Sequence, residues 1–291
     1  MTVPARPTPL FADIADVSRR LAETGYLPDT ATATAVFLAD RLRQPLLVEG
    51  PAGVGKTELA RAVAQATGSG LVRLQCYEGV DEARALYEWN HAKQILRIQA
   101  GSGDWEATKT DVFSEEFLLQ RPLLTAIRRT EPTVLLIDET DKADIEIEGL
   151  LLEVLSDFAV TVPELGTLTA TRAPFVLLTS NATRELSEAL KRRCLYLHID
   201  FPTPELERRI LLSRVPELPE HFAEELVRII GVLRGMQLKK VPSIAETIDW
   251  GRTVLALGLD TIDDAVVAAT LGVVLKHQSD QQRATGELRL N

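Results

Sequence analysis

The stretch PLLVEGPAGVGKTELARAVAQA, residues 45 to 66, decides how this chain folds. Within it Gly50-Pro51-Ala52-Gly53-Val54-Gly55-Lys56-Thr57 satisfies the phosphate-loop pattern G-x-x-x-x-G-K-[ST] at every fixed position. Leu46-Leu47-Val48 before it reads as a strand, and Thr57 to Ala66 carries the apolar spacing of a helix, so the loop feeds a helix N-terminus. Backbone N–H groups and the helix dipole there favour an anion. Gly50, Gly53 and Gly55 permit backbone angles and a close approach that a Cβ would obstruct. Pro51, Ala52 and Val54 complete the cradle, and Glu58 follows in the first helical turn. The pattern predicts that Lys56 reaches the β and γ phosphates and that the Thr57 hydroxyl ligates Mg²⁺. A glycine-rich turn that binds nothing is the bland alternative, and the flanking strand and helix argue against it.

Working outward, apolar runs of strand length recur at Pro45 to Glu49, Leu71 to Cys76, Thr133 to Ile137, Phe175 to Ser180 and Cys194 to Ile199, with helix-period segments between them. Val134-Leu135-Leu136-Ile137 does not alternate, as expected of a parallel strand covered on both faces. The fold class is therefore α/β. Asp138 and Glu139 end that strand. Asp138 is predicted to hold the magnesium shell, and Glu139 to activate water toward the γ-phosphate. Asp141 and Asp144 read as solvated acids capping the next helix. Asn181 follows the run Phe175 to Ser180 and is able to orient a water, although asparagine after a strand is also a common turn former. Arg192 and Arg193 close a helix from Ser187 to Lys191. They read either as cations on a helix C-terminus or, in a ring, as an arginine finger for a neighbouring site.

Phe201-Pro202-Thr203-Pro204 marks a domain boundary, giving residues 1–203 as the nucleotide-binding core and 204–291 as a small all-helical domain. Helices are expected at Glu205 to Val215, Pro219 to Gly235, Ser243 to Leu259 and Ile262 to about His277. Two interruptions stand out in the core: a polar surface excursion at Gln99 to Asp111, and a hairpin at about residues 159–170 around Pro163-Glu164-Leu165-Gly166.

The chain has 291 residues and a net charge of −10. That charge disfavours affinity gained by neutralising nucleic-acid phosphates. Ala265 to Leu275 is far shorter than the roughly 20 apolar residues of a membrane span, and Met1 to Phe11 lacks a secretory pattern; the reading is cytoplasmic. Cys76 and Cys194 suggest burial rather than a disulfide or a metal site. His91, His198, His221 and His277 have no ligand spacing. Trp89, Trp105 and Trp250 read as core or interface anchors. Thr108-Lys109-Thr110-Asp111 imitates a guanine-reading pattern but precedes the metal-binding acid and follows no strand, which leaves ATP as the expected nucleotide.

The order of these motifs resembles the AAA+ ATPases and, more narrowly, the MoxR branch. The resemblance is carried by VLLIDETDKAD (134 to 144), LLLEVLSDFAVTVPELG (150 to 166), VLLTSNATRELSEALKRRCLYLHIDFP (176 to 202) and PSIAETIDWGR (242 to 252). It implies an αβα sandwich with a parallel five-stranded sheet, a four-helix lid and an insert at about residues 90–112. It also implies a homo-oligomeric ring, usually a hexamer, acting as an ATP-driven chaperone on a protein client. Members typically work with a partner bearing a von Willebrand type A (VWA) domain, often to load metal cofactors, and similar sequences serve carbon monoxide dehydrogenase maturation. By motif position Asn181 becomes sensor 1, and Arg193, then Arg192, the finger. Pro242 to Thr247 lacks the sensor 2 arginine of many relatives, and Arg252 is the nearest substitute. A DNA-translocating motor and a nucleotide-gated binding module are the competing functions.

Overall fold

The computed structural model describes residues 9–100, 112–259 and 261–288. Most of the excursion expected at Gln99 to Asp111, together with Trp105 and Thr108 to Asp111, lies outside the described residues. The chain divides into two compact units. The first runs to Thr24 and continues with Pro28–Glu49 and Thr57–His198; the second holds Gly25–Leu27, Gly50–Lys56 and the chain from Ile199.

The first unit opens with helices α1 (Ile14–Glu23) and α2 (Thr30–Leu42). The carboxylates of Asp13 and Asp29 cap them, accepting from the amides of Asp16 and Thr32. Five strands follow in one parallel sheet: β1 (Leu46–Glu49), β2 (Gly70–Gln75), β5 (Thr133–Asp138), β8 (Phe175–Ser180) and β9 (Leu195–His198). Their spatial order is β2-β5-β8-β1-β9. Each begins or ends within one residue of the apolar run that predicted it. β5 and β8 are buried at all six of their positions, which is why neither alternates in sequence.

Helix α3 (Lys56–Thr67) leaves the phosphate loop, and α6 (Pro122–Arg128), α7 (Ile145–Asp157) and α8 (Glu188–Lys191) complete the main helices. The expected hairpin is present as β6 (Ala159–Val162) and β7 (Gly166–Thr169). A second ribbon, β3 (Tyr87–Trp89) with β4 (Leu118–Gln120), is absent from the sequence reading. Three residues per strand give too short a pattern to register as alternation. The short helix α4 (Glu82–Ala85) precedes β3, and α5 (His91–Ala100) follows it.

The second unit contains α9 (Pro204–Arg214), α10 (Glu220–Arg234), α11 (Ile244–Leu257), α12 (Asp264–Val274) and α13 (Gln278–Glu287). Its core gathers Leu211, Phe222, Leu226, Ile230, Leu233, Trp250 and Leu271. The fully buried Trp250 donates its indole N–H to the Thr270 hydroxyl at 2.8 Å. Helix α13 corrects the expected count of four. Its sequence QSDQQRATGE has no apolar stripe, and buried Asp280 accepts from the amides of Lys239 and Lys240 at 3.1 and 3.2 Å.

A buried ion pair fixes α9 against α10. Arg234 grips Glu207 through two bonds of 2.5 and 2.8 Å, and the Thr247 hydroxyl of α11 donates to the same carboxylate at 2.7 Å. Arg234→Ala leaves that carboxylate buried without its cation, so a loss of about 3 kcal/mol is expected, measured as a lowered urea midpoint for the helical unit.

Candidate functional site

The phosphate loop is built by two close approaches within the second unit. Gly50 has φ +153°, and a Cβ there would lie 1.9 Å from the Ile199 carbonyl oxygen. Gly53 has φ +78°, and its Cβ would meet the Ser243 Oγ at 2.3 Å. These glycines therefore answer first to their own chain, not only to an anion as the sequence suggested. Lys56, 6% exposed, donates from Nζ to the carbonyls of Gly50 and Pro51 at 2.6 and 2.7 Å. Tyr26 stands beside Gly55. Glu58 pairs with Arg61 of its own helix at 3.7 Å.

In the first unit the strand ends form one polar network. Asp138 is buried, and its Oδ1 accepts from the hydroxyls of Thr57 (3.0 Å) and Thr179 (2.6 Å). Its Oδ2 accepts from Nε and Nη2 of Arg73 at 3.0 and 2.5 Å. Glu139 sits in the left-handed region at φ 56°, and its amide donates to the Thr179 hydroxyl at 2.8 Å. Its carboxylate accepts from Gln75 at 3.1 Å and from Lys142 at 2.5 Å. Thr57, Asp138 and Glu139 are thus brought together in one network through Thr179. Arg73, Gln75 and Thr179 were missed. Only the register that pairs Gln75 with Asp138 places the β2 side chains at this end, and no spacing in the sequence reveals it.

Asn181 is half-buried directly after β8, followed by Ala182 at φ 57°. Asp141 is buried, which corrects its reading as a solvated cap. It accepts from the Thr183 amide (3.0 Å) and hydroxyl (2.5 Å), tying the loop after β5 to the loop after β8. Burial pushes its carboxyl upward, but the Thr183 bonds outweigh this and hold it below the ordinary range. Asp144 is exposed at the start of α7, as expected.

Arg192 and Arg193 are both exposed after α8, and neither guanidinium has a hydrogen bond or ion pair among the described residues. Arg252 is exposed on α11 and pairs with Asp249 at 3.3 Å. The residue of the α11 start that meets the phosphate loop is instead Ser243.

These residues fit a magnesium nucleotide. The loop has left-handed glycines, a buried lysine head and a helix N-terminus. The Asp138 carboxylate and the Thr57 hydroxyl offer hard oxygens, which suit Mg²⁺. No group of three or more His, Cys, Asp or Glu able to hold a metal exists among the described residues. Mg²⁺ needs no such cage, because one or two carboxylates, water and phosphate oxygens suffice.

Comparison with known protein families matches residues 45–194, slightly more than half of the chain, to the AAA domain of the dynein-related subfamily. The chain belongs to this AAA family. Its curated relatives include the chaperone protein ClpB of Chlamydia pneumoniae, 24% identical over 243 residues, covering 78% of this chain and 26% of the relative. Chaperone protein ClpB 1 of Synechocystis sp. is 27% identical over 236 residues, covering 76% and 23%. Chaperone protein ClpB 2 of Thermosynechococcus vestitus is 33% identical over 143 residues, covering 48% and 14%. The AAA chain thus spans about a quarter or less of the length of these relatives. Among solved structures, a Thermotoga maritima RuvB mutant superposes with TM-score 0.50 at 20% identity, covering 92% of this chain and 73% of that one. At that identity the likeness shows the fold.

The cysteines of this AAA chain take no part in the site chemistry. Burial pushes both thiols up to about 12; at Cys76 the nearby Asp138, Asp141 and Glu139 add to it. At pH 8 both thiols are then overwhelmingly protonated. Iodoacetamide at pH 8 is expected to leave both unmodified in the folded protein and to alkylate both in urea, as read by intact mass.

Proposed function

We propose that this AAA protein is a Mg²⁺-dependent ATPase that works as a ring, in the manner of the MoxR branch, to remodel or activate a protein client. The observation that carries the reading is the 3.0 Å bond between the Thr57 hydroxyl and buried Asp138. It brings the helix-start hydroxyl and the strand-end carboxylate that two separate motifs assign to one metal into contact.

In this reading the amides of Gly53 to Thr57 and the Lys56 ammonium hold the β and γ phosphates, and Thr57 and Asp138 are the residues that would hold Mg²⁺. A magnesium ion bound there would supply charge neutralisation at the phosphate oxygens. Glu139 takes the proton of the attacking water, and Asn181 orients that water. Gln75 and Lys142 both donate to Oε2 of Glu139, so Oε1 is the oxygen placed to accept that proton.

Arg193, with Arg192 second, completes a neighbouring subunit's site; exposed guanidiniums without partners among the described residues suit that role. The chaperone names of the relatives support a protein client. A VWA-bearing partner and metal-cofactor loading belong to the same proposal through the MoxR resemblance. A DNA motor fits less well, because residues 159–170 of the hairpin hold no lysine or arginine and the chain's net charge is −10.

Glu139→Gln is expected to lower kcat at least 100-fold while keeping Mg·ATP binding, and Lys56→Ala to abolish binding, by phosphate release and by calorimetry. An unchanged rate in Glu139→Gln refutes the base assignment. Specific activity is expected to fall on dilution below the assembly concentration, and Arg193→Ala is expected to cost about 10³-fold above that concentration and little below it. A steady specific rate down to the monomer rules out completion in trans.

A further inference from the structure

Asp138 has no lone pair to spare. A carboxylate offers about four acceptor sites, and here two hydroxyls take Oδ1 while two guanidinium nitrogens take Oδ2. Any metal that uses this carboxylate, directly or through a water, has to displace one of those four donors. The Thr179 hydroxyl is locked by the Glu139 amide that donates to it. The Thr57 hydroxyl belongs to the metal's own ligand set in the phosphate-loop pattern. Arg73 remains, and it is the only one of the three donor residues that carries a charge of the metal's own sign.

Its surroundings allow it to leave. The Arg73 side chain is 43% exposed, against 2% for Asp138. Apart from Asp138, its guanidinium bonds only to the Gln75 amide oxygen among the described residues. The contrast with Arg234 in the helical unit is direct: there the arginine is 13% exposed, and it also donates to the Pro242 carbonyl. Arg234 is boxed in as a permanent partner, whereas Arg73 reaches the carboxylate from the solvent side and can rehydrate by a rotamer change. Two cations competing for one buried carboxylate repel each other strongly at this range.

We propose that Arg73 is a resident counter-ion for Asp138 that magnesium must displace, so that this arginine sets how much free Mg²⁺ the nucleotide site requires. Arg73 is a positioning residue: it acts through Asp138 and touches no reacting atom. It keeps the buried carboxylate compensated while no metal is bound and raises the free Mg²⁺ needed for occupancy. The inference rests on the nucleotide-site reading above and deepens it.

The test is a Mg²⁺ titration of a fluorescent ADP analogue bound to the full chain, with affinity in EDTA measured alongside. Removing a charge-assisted competitor in Arg73→Ala is expected to lower the half-saturating free Mg²⁺ about tenfold, with affinity in EDTA unchanged. Arg73→Lys, which keeps the charge, is expected to stay within about threefold of the unmutated chain. Arg73→Gln keeps a neutral donor to Asp138; should the alanine variant fold poorly, it is expected to move the titration in the same direction. An unchanged or raised Mg²⁺ requirement in the folded alanine or glutamine variant overturns the proposal and makes Arg73 a fixed brace for Asp138. Equal weakening with and without Mg²⁺ overturns it as well. If the unmutated chain binds no nucleotide at saturating Mg²⁺, the nucleotide-site reading falls and takes this inference with it.

Discussion

A negative charge sits at the end of a strand that is covered on both faces, and the site is organised around satisfying it. Asp138 is buried on β5, where an uncompensated carboxylate is costly. Its donors come from the first turn of α3, from β8 and from β2, so three neighbouring elements are pinned by one side chain. Thr179 has a double duty: its hydroxyl donates to Asp138 and accepts from the Glu139 amide. The position of Glu139 is thereby coupled to that of Asp138 through a single oxygen.

The strand ends also store backbone strain. Glu139 and Ala182 both occupy the left-handed region, at φ 56° and 57°, a conformation that costs an L-residue about 1 to 2 kcal/mol. The Asp141 to Thr183 bonds, two residues after Glu139 and one after Ala182, tie the loops together. A loop that would otherwise relax is held where it turns Glu139 out of the strand direction, and Asn181 precedes the matching turn on the neighbouring strand. Such outliers gather at functional sites.

The fold was legible because its five core strands are apolar runs bounded by turn residues, and the site was legible where a motif has fixed spacing. Gly50 to Thr57 and Asp138-Glu139 are local patterns, readable without knowing what lies beside them. Arg73, Gln75 and Asp141 are not local. The first two matter because β2 lies against β5 in a register that sets Gln75 opposite Asp138, and a parallel pairing across more than sixty residues of chain leaves no trace in spacing. Asp141 looked like a surface acid because acids commonly flank helix starts; its burial depends on a threonine 42 residues further on. Helix α13 escaped because it is held by Asp280 and Ala284 rather than by an apolar stripe.

The contact of Gly53 with Ser243 has a mechanical meaning. With no room for even a methyl group between them, the loop and the first turn of α11 form a rigid strut, and the capping box of Ser243 and Glu246 stiffens its far end. A displacement of the Gly53 backbone toward α11 therefore has to be shared by the start of that helix.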